Sequence, residues 1–368
     1  MNAPLSTPSR IAAAAPDGAV RRFFRGGWSF ERVLLLAVLL INLAAAYQGW
    51  ARLEEGRSRA EDRAAQETRN LAQVLEQSLG STARSIDVTL RAVVDELETT
   101  AGGAHPLRPE EVRDLLARYK SWLPEIEGLR VFDAEGLPRW ASSGAPPGHG
   151  LIGAEAFRTL ASLAHDRLVV SPPQLEADPG LRVLSFSRRY RLADGRFGGV
   201  VTAAVPLNYL EELLAIPRLG RKGLSMLRYE DRSLIAVQPP IAGEVGRVGS
   251  KAISDELTDI LDSGLEAATY LAPHMKDGVE RINSVRRVAG LPLLLVLGMA
   301  SEEYLAGWHG DMRDMLVMLA GFLLLTSGAA WLVIRYHRRL QAHAERLGET
   351  LAELRDRDKV LRVTERVG

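Results

Sequence analysis

Two apolar runs bracket the chain, and between them the periodicity of apolar positions changes from helical to strand-like. Val33 to Trp50 is about 18 residues long, with Asn42 and Gln48 as its only strongly polar members, enough for roughly 27 Å of helix. Met315 to Ile334 is about 20 residues long, carries no charge, and is interrupted only by Thr326 and Ser327. Each run predicts a membrane-crossing helix, flanked by Trp28 and Trp50 in the first case and by Trp331 and Tyr336 in the second, where amphipathic rings favour the interface.

Arginines lie on both sides of the first run, so orientation rests on the second. Arg335, Arg338, Arg339 and Arg346 follow it and only Arg313 closely precedes it, which predicts a cytoplasmic C-terminus. Two crossings then put the N-terminus in the cytoplasm and the long middle segment on the other side of the membrane. A competing reading of the first run is a cleaved signal peptide ending near Leu43-Ala44-Ala45-Ala46. Against it stand the roughly 32 residues before the run, Glu31 among them, and the helical periodicity that continues beyond it.

From Ala51 to about Leu97 there is no proline, and Leu71, Val74, Leu75, Leu79, Ile86, Val88, Leu90, Val93, Val94 and Leu97 recur at helical spacing. This predicts one long helix, with a bend expected at Gly80-Ser81 and an end at Gly102-Gly103. Strand-like runs follow: Gly128 to Asp133 and Pro138 to Ser143 as a hairpin, a helix around Ala154 to Ala164, then strands at Arg167 to Ser171, Leu181 to Arg191 and Arg196 to Ala204. The order recurs: a helix at Pro206 to Ala215, strands at Leu224 to Tyr229 and Ser233 to Val237, a helix at Ile253 to Leu261, and strands at Ala267 to Ala272, Val279 to Val288 and Pro292 to Met299. Strands joined as hairpins with helical cover predict an α+β class with two tandem antiparallel units. Ser301 to Met312 reads as helix leading into the second crossing. Beyond Tyr336, Leu340, Leu347, Leu354 and Leu361 recur every seven residues, which predicts a parallel dimeric coiled coil, with an amphipathic surface helix as the alternative because Asp358 occupies a seam position. The expected divisions are a disordered tail over 1–30, membrane helices at 31–50 and 315–334, a region outside the cytoplasm over 51–314 with modules at about 100–205 and 206–300, and a cytoplasmic helix over 335–368.

Charge removes some classes of function. The 46 basic and 46 acidic residues cancel, and no basic cluster is interleaved with aromatics, so nucleic acid is not an expected partner. The chain has no cysteine, which excludes disulfides and thiolate chemistry and suits an oxidising compartment. His337 and His343, six apart, lack the spacing of a zinc-binding helix, and no phosphate loop, nucleophile elbow, dinucleotide fingerprint or cyclase signature is present. No catalytic residue, metal or cofactor is therefore assigned.

The layout, with Leu129-Arg130-Val131-Phe132-Asp133-Ala134-Glu135-Gly136 and Leu184 to Tyr190 followed by Asp194-Gly195-Arg196-Phe197-Gly198-Gly199-Val200-Val201, resembles the double Cache family of bacterial receptor ectodomains, from about Ala51 to Asp314. The resemblance implies two PAS-like modules on a membrane-emergent helix, a small-molecule ligand in the membrane-distal module, and a response passed through the second crossing to a histidine kinase or diguanylate cyclase. The family's full amino-acid-binding pattern is not found here, so an organic acid and an amino acid both stay open. An anionic ligand needs a planar, permanently charged donor. On that ground Arg188 and Tyr190 are the preferred contacts, joined by Arg130, Trp140 and Ser142 from the facing hairpin. Residues 351–368 resemble the lead-in helix of a cytoplasmic PAS module. The expected partners are the ligand, membrane lipid, a second copy of the chain, and a cytoplasmic effector or response regulator. A stand-alone adaptor signalling through its coil and a tethered periplasmic enzyme are the alternatives.

Overall fold

A computed structural model of the chain describes residues 30–101, 108–142, 154–163, 166–175, 182–273 and 277–364. All but the last residue of the tail expected over 1–30 lies outside them. The chain divides into two compact units, Arg57–Gly307 and the paired segments Met1–Gly56 and Trp308–Gly368.

A single helix, α1 (Phe30–Ala101), runs through the first apolar run and on through Gly80 and Ser81 without interruption. Within the first unit its apolar stripe, Leu75, Leu79, Ala83, Ile86, Leu90, Val93 and Leu97, is buried at intervals of three and four residues. Two five-stranded antiparallel sheets pack on that stripe. The distal sheet holds β1 (Gly128–Asp133), β2 (Pro138–Ala141), β3 (Val169–Leu175), β4 (Arg182–Arg191) and β5 (Phe197–Pro206) in the order β2-β1-β5-β4-β3. The proximal sheet repeats that order as β7-β6-β10-β9-β8, with β6 (Leu224–Tyr229), β7 (Leu234–Gln238), β8 (Ala267–Ala272), β9 (Arg281–Arg287) and β10 (Leu293–Ala300). The tandem α+β architecture read from the hairpin pattern is the one observed.

Alternation fixes which face each strand buries. Leu129, Val131, Leu184, Phe186, Val201 and Ala203 of the distal sheet share one core with α1, and Leu227, Leu293, Leu295 and Leu297 of the proximal sheet join it. At roughly 1.5–3 kcal/mol for each fully buried aliphatic side chain, this continuous core dominates the unit's stability. The outer face of each sheet carries its own helix. Helix α3 (Ala154–Ser162) sets Ala156 and Leu160 over Phe132 and Val200, and α5 (Asp255–Asp262) sets Leu257 and Leu261 over Leu224, Met226, Val285 and Val296. Between the sheets in sequence lies α4 (Leu207–Leu214), and the unit ends in the short α6 (Ser301–Tyr304).

The hairpins turn on aspartates. Asp133 Oδ1 accepts from the amides of Glu135 (3.2 Å) and Leu137 (2.8 Å), ahead of Gly136 at φ 80°. Asp194 Oδ1 accepts from Arg196 N at 3.0 Å, and Asp231 Oδ1 from Ser233 N at 2.9 Å. Two further features differ from the sequence reading. A helix α2 (Pro109–Ser121) buries Val112, Leu115 and Leu116 where none was expected. Strand β3 runs through Pro172-Pro173 to Leu175, four residues past the expected end, because the ladder with β4 shifts register between Ser171 and Gln174 and the prolines fall on an edge strand that owes no inner hydrogen bonds there.

In the second unit the N-terminal part of α1 meets α7 (Ala306–Thr364). Both helices contain a window long and apolar enough to cross a membrane, and only 6% of each window is buried, unlike the core helix of a soluble domain. Gly49 lets α7 close in: a Cβ there would lie 2.7 Å from Met315 Sδ. Leu340, Leu347, Leu351 and Leu354 of α7 are exposed. Leu361 and Asp358 of the expected seam fall where side chains lie outside the described residues.

Candidate functional site

The outer face of the distal sheet divides into two regions. Under α3 it is apolar, with Phe132 paired to Val200 and Arg189 next in the row. Beyond α3 it becomes small and polar. One row runs Arg130–Thr202–Ser187–Val169 across β1, β5, β4 and β3, and the next runs Gly128–Ala204–Ser185–Ser171. Thr202 and Ser187 share a hydrogen bond at 2.9 Å between their hydroxyls. Ser171 Oγ, fully buried, has no hydrogen-bond partner among the described residues, an unusual state for an interior hydroxyl. Arg130 stands half-buried at the β1 side of this floor, and Arg189 stays on the α3 side, donating to Leu163 O with its guanidinium 5.3 Å above the Phe197 ring. Segments 143–153 and 176–181, which flank β2 and β4 in the chain, lie outside the described residues.

The five residues singled out from sequence do not converge. Arg188 and Tyr190 share a face, as the strand period requires, but it is the face toward α1. Arg188, 2% exposed, donates through Nε to Asp87 Oδ1 of α1 at 2.6 Å and through Nη1 to Asp166. Two carboxylates thus already occupy its guanidinium. Tyr190 lies in the core against α1, and its phenol is pushed up to about 12, first by burial and then by the Asp133 carboxylate. Trp140 packs on the same core. Ser142 closes the hairpin, its Oγ accepting from Leu129 N at 3.0 Å. Of the five, Arg130 alone faces the polar floor, opposite Thr202. The expectation of a single pocket from all five is corrected accordingly: β1 and β4 present their sites on opposite sides of one sheet. The floor itself, Ser171, Ser185, Ser187 and Thr202, was passed over because single hydroxyls on strands carry little signal until register lines them up.

The sequence matches no family model and no curated protein. Solved structures do match. The extracellular domain of rpHK1S-Z16, assigned as a histidine kinase, is 24% identical over 67% of this chain and 98% of its own, with a TM-score of 0.58. The middle of the chain has the double Cache fold. Two chemoreceptor ligand-binding domains lie just below a TM-score of 0.5. That of Campylobacter jejuni Tlp3, solved with L-norvaline, is 14% identical over 67% of this chain and 94% of its own, at 0.49. That of Pseudomonas fluorescens CtaA, solved with L-isoleucine, is 15% identical over 68% and 98%, also at 0.49.

The two Cache modules use their outer faces differently. In the proximal module Leu224, Met226, Leu234, Val285, Leu294 and Val296 form an apolar core with α5 on that face, and Asn283 and Arg281 are buried beyond it. Among the described residues its buried cations are both engaged: Arg228 donates to Arg232 O at 2.8 Å, Ser250 O at 3.1 Å and Ala252 O at 2.9 Å, and Arg281 donates to Lys222 O at 2.9 Å and pairs with Asp277 at 2.7 Å. Burial pulls the Arg228 guanidinium down to about 10, so it stays charged at neutral pH. In the distal module the equivalent surface beyond α3 is built of glycine, alanine, serine and threonine. A separate groove of about 280 Å³, bordered by Arg63, Glu67, Arg218, Glu303 and Tyr304, carries both charge signs in balance.

Proposed function

We propose that this chain is a membrane-anchored sensory receptor whose Cache modules lie in the periplasm and whose two apolar helices cross the inner membrane, both termini being cytoplasmic. The ligand is a small polar molecule, an organic acid or an amino acid, bound on the outer face of the distal sheet over Gly128, Ser171, Ser185, Ser187 and Thr202. Arg130 supplies the charge that meets a carboxylate. The exposed leucines of α7 pair two copies of the chain as a parallel coil, which hands the response to a cytoplasmic effector.

The observation that carries this reading is the contrast between the modules. Thr202 and Ser187 beside Arg130 face outward in the distal module, whereas the matching strands of the sister module turn Met226, Val296 and Val285 to their helix. Small side chains leave volume and hydroxyls leave hydrogen bonds to be made, which is what a polar ligand requires of a pocket floor.

The test is a thermal-unfolding screen of the full chain in detergent against organic acids and amino acids. At a hundredfold excess over its dissociation constant a ligand adds about 2.7 kcal/mol to stability. Ser187→Ala combined with Thr202→Val removes both partners of one hydrogen bond together, so it leaves no orphan and the fold is expected to survive. The same double variant should lose at least about tenfold in affinity, the equivalent of one to two hydrogen bonds. If no compound of these classes stabilises the chain, or if the double variant binds as the parent does, the reading fails.

A further inference from the structure

The first membrane run contains one buried polar side chain. Asn42 is 9% exposed while its neighbours Leu39 and Leu43 are 55% and 56% exposed, so it is aimed at α7 and away from the surroundings. Its Nδ2 donates to Thr326 Oγ1 at 3.0 Å and to Val38 O of its own helix at 2.8 Å. Thr326 is one of the two polar residues of the second run, and its hydroxyl also donates to Phe322 O at 2.8 Å. In hydrocarbon an amide without such partners is strongly disfavoured, so the pair is held by the absence of water as much as by its own geometry.

Two further ties join the same helices. Glu31 receives both Arg338 Nε at 2.7 Å and Nη2 at 2.8 Å, a bidentate pair beside the stacked rings of Phe30 and His337, whose centroids are 4.7 Å apart. At the other end Trp308 Nε1 donates to Leu53 O at 2.8 Å, and Gly56 leaves its ring room at 3.6 Å. Positions 31, 42 and 53 are spaced eleven residues apart on α1. That is about three turns, so the ties repeat on one face roughly every 16 Å.

We propose that these ties bolt the two membrane helices of one protomer in fixed register, so that the response crosses the membrane as movement of the helix pair together and not as one helix sliding past the other. The inference rests on the reading of both helices as membrane-spanning. A slide along the helix axis stretches all three ties at once. Tilt or rotation of the pair as one body stretches none, so the lower-energy mode keeps the rungs intact. Glycines at 49 and 56 hold the helices close enough for the rungs to form.

The chain has no cysteine, so paired cysteines report without background. In native membranes treated with a mild oxidant, Gly49→Cys with Met315→Cys should form an intramolecular disulfide. Gly49→Cys with Leu319→Cys, and with Asp311→Cys, each displaced by one turn, should form it about tenfold more slowly, the equivalent of two or three interhelical polar contacts. Adding Glu31→Gln, Asn42→Leu, Thr326→Val and Trp308→Phe should bring the displaced pairs up to the in-register rate. Equal rates in the intact chain overturn the proposal. So does register selectivity that survives loss of the ties, and so does an in-register pair that yields only disulfide-linked dimers. Alkaline carbonate extraction of the same membranes reports separately on whether the helices span: release of the protein sinks the membrane reading itself, while retention with unselective cross-linking sinks only the bolt.

Discussion

Arg188 shows how a residue's chemistry and its placement separate. An arginine on a strand beside a tyrosine has the composition of an anion-binding pair, and strand alternation correctly puts Arg188 and Tyr190 on one face. Alternation does not say which face meets α1. In the folded chain that face does, and Asp87, next to the buried Ile86 and one turn before the buried Leu90, closes on the guanidinium at 2.6 Å. Arg188 therefore ties the distal sheet to α1, and through Asp166 it also holds the segment following α3. Asp87→Asn should destabilise the unit by about 2–3 kcal/mol, somewhat below the usual figure for breaking a buried pair because the half-exposed Asp166 remains to share the charge. Denaturant unfolding of the full chain measures it, and an unchanged midpoint would show that the pair is dispensable. Arg130 lies on the opposite face of the sheet, in a row with the small side chains of Thr202 and Ser187.

At the scale of elements, most strands and helices were legible because each module repeats one pattern of hairpin, helix and three strands. Helix α2 was not, although its signals are present. Pro109 occupies the first turn with Glu110 and Glu111, Glu111 Oε2 accepts from Arg108 N at 2.9 Å, and Lys120 sits in the last turn. The three buried residues that make it amphipathic span barely one turn, too short a stripe to stand out from the loop around it. A second feature belonging to this scale is Gly199, where β5 passes β1 at φ 139° and an added Cβ would fall 2.0 Å from Phe132 O. Sequence placed Gly198-Gly199 at the start of a strand without a reason for the second glycine. Gly199→Ala should cost about 2–4 kcal/mol through backbone strain and displacement of β1, and a midpoint within error of the parent would contradict the close approach.

For the whole molecule, the membrane topology is a statement about charge and hydrocarbon. Fusing alkaline phosphatase after Gly195 should give an active reporter, since that turn lies in the proposed periplasmic region, whereas a fusion after Leu354 should be inactive. The opposite pattern would invert the receptor. The sequence alone determined the two long apolar helices, the tandem α+β units and the strand alternation, because each is a local matter of run length or period that neighbouring residues satisfy by themselves. Tertiary structure decided which side of each sheet α1 covers, and hence that Arg188 and Tyr190 serve the core while Arg130 and a row of serines and threonine face outward. It also decided that Asn42 meets Thr326, 284 residues away in the chain. Period tells a strand that it has two faces, but only the packing of a distant helix tells them apart.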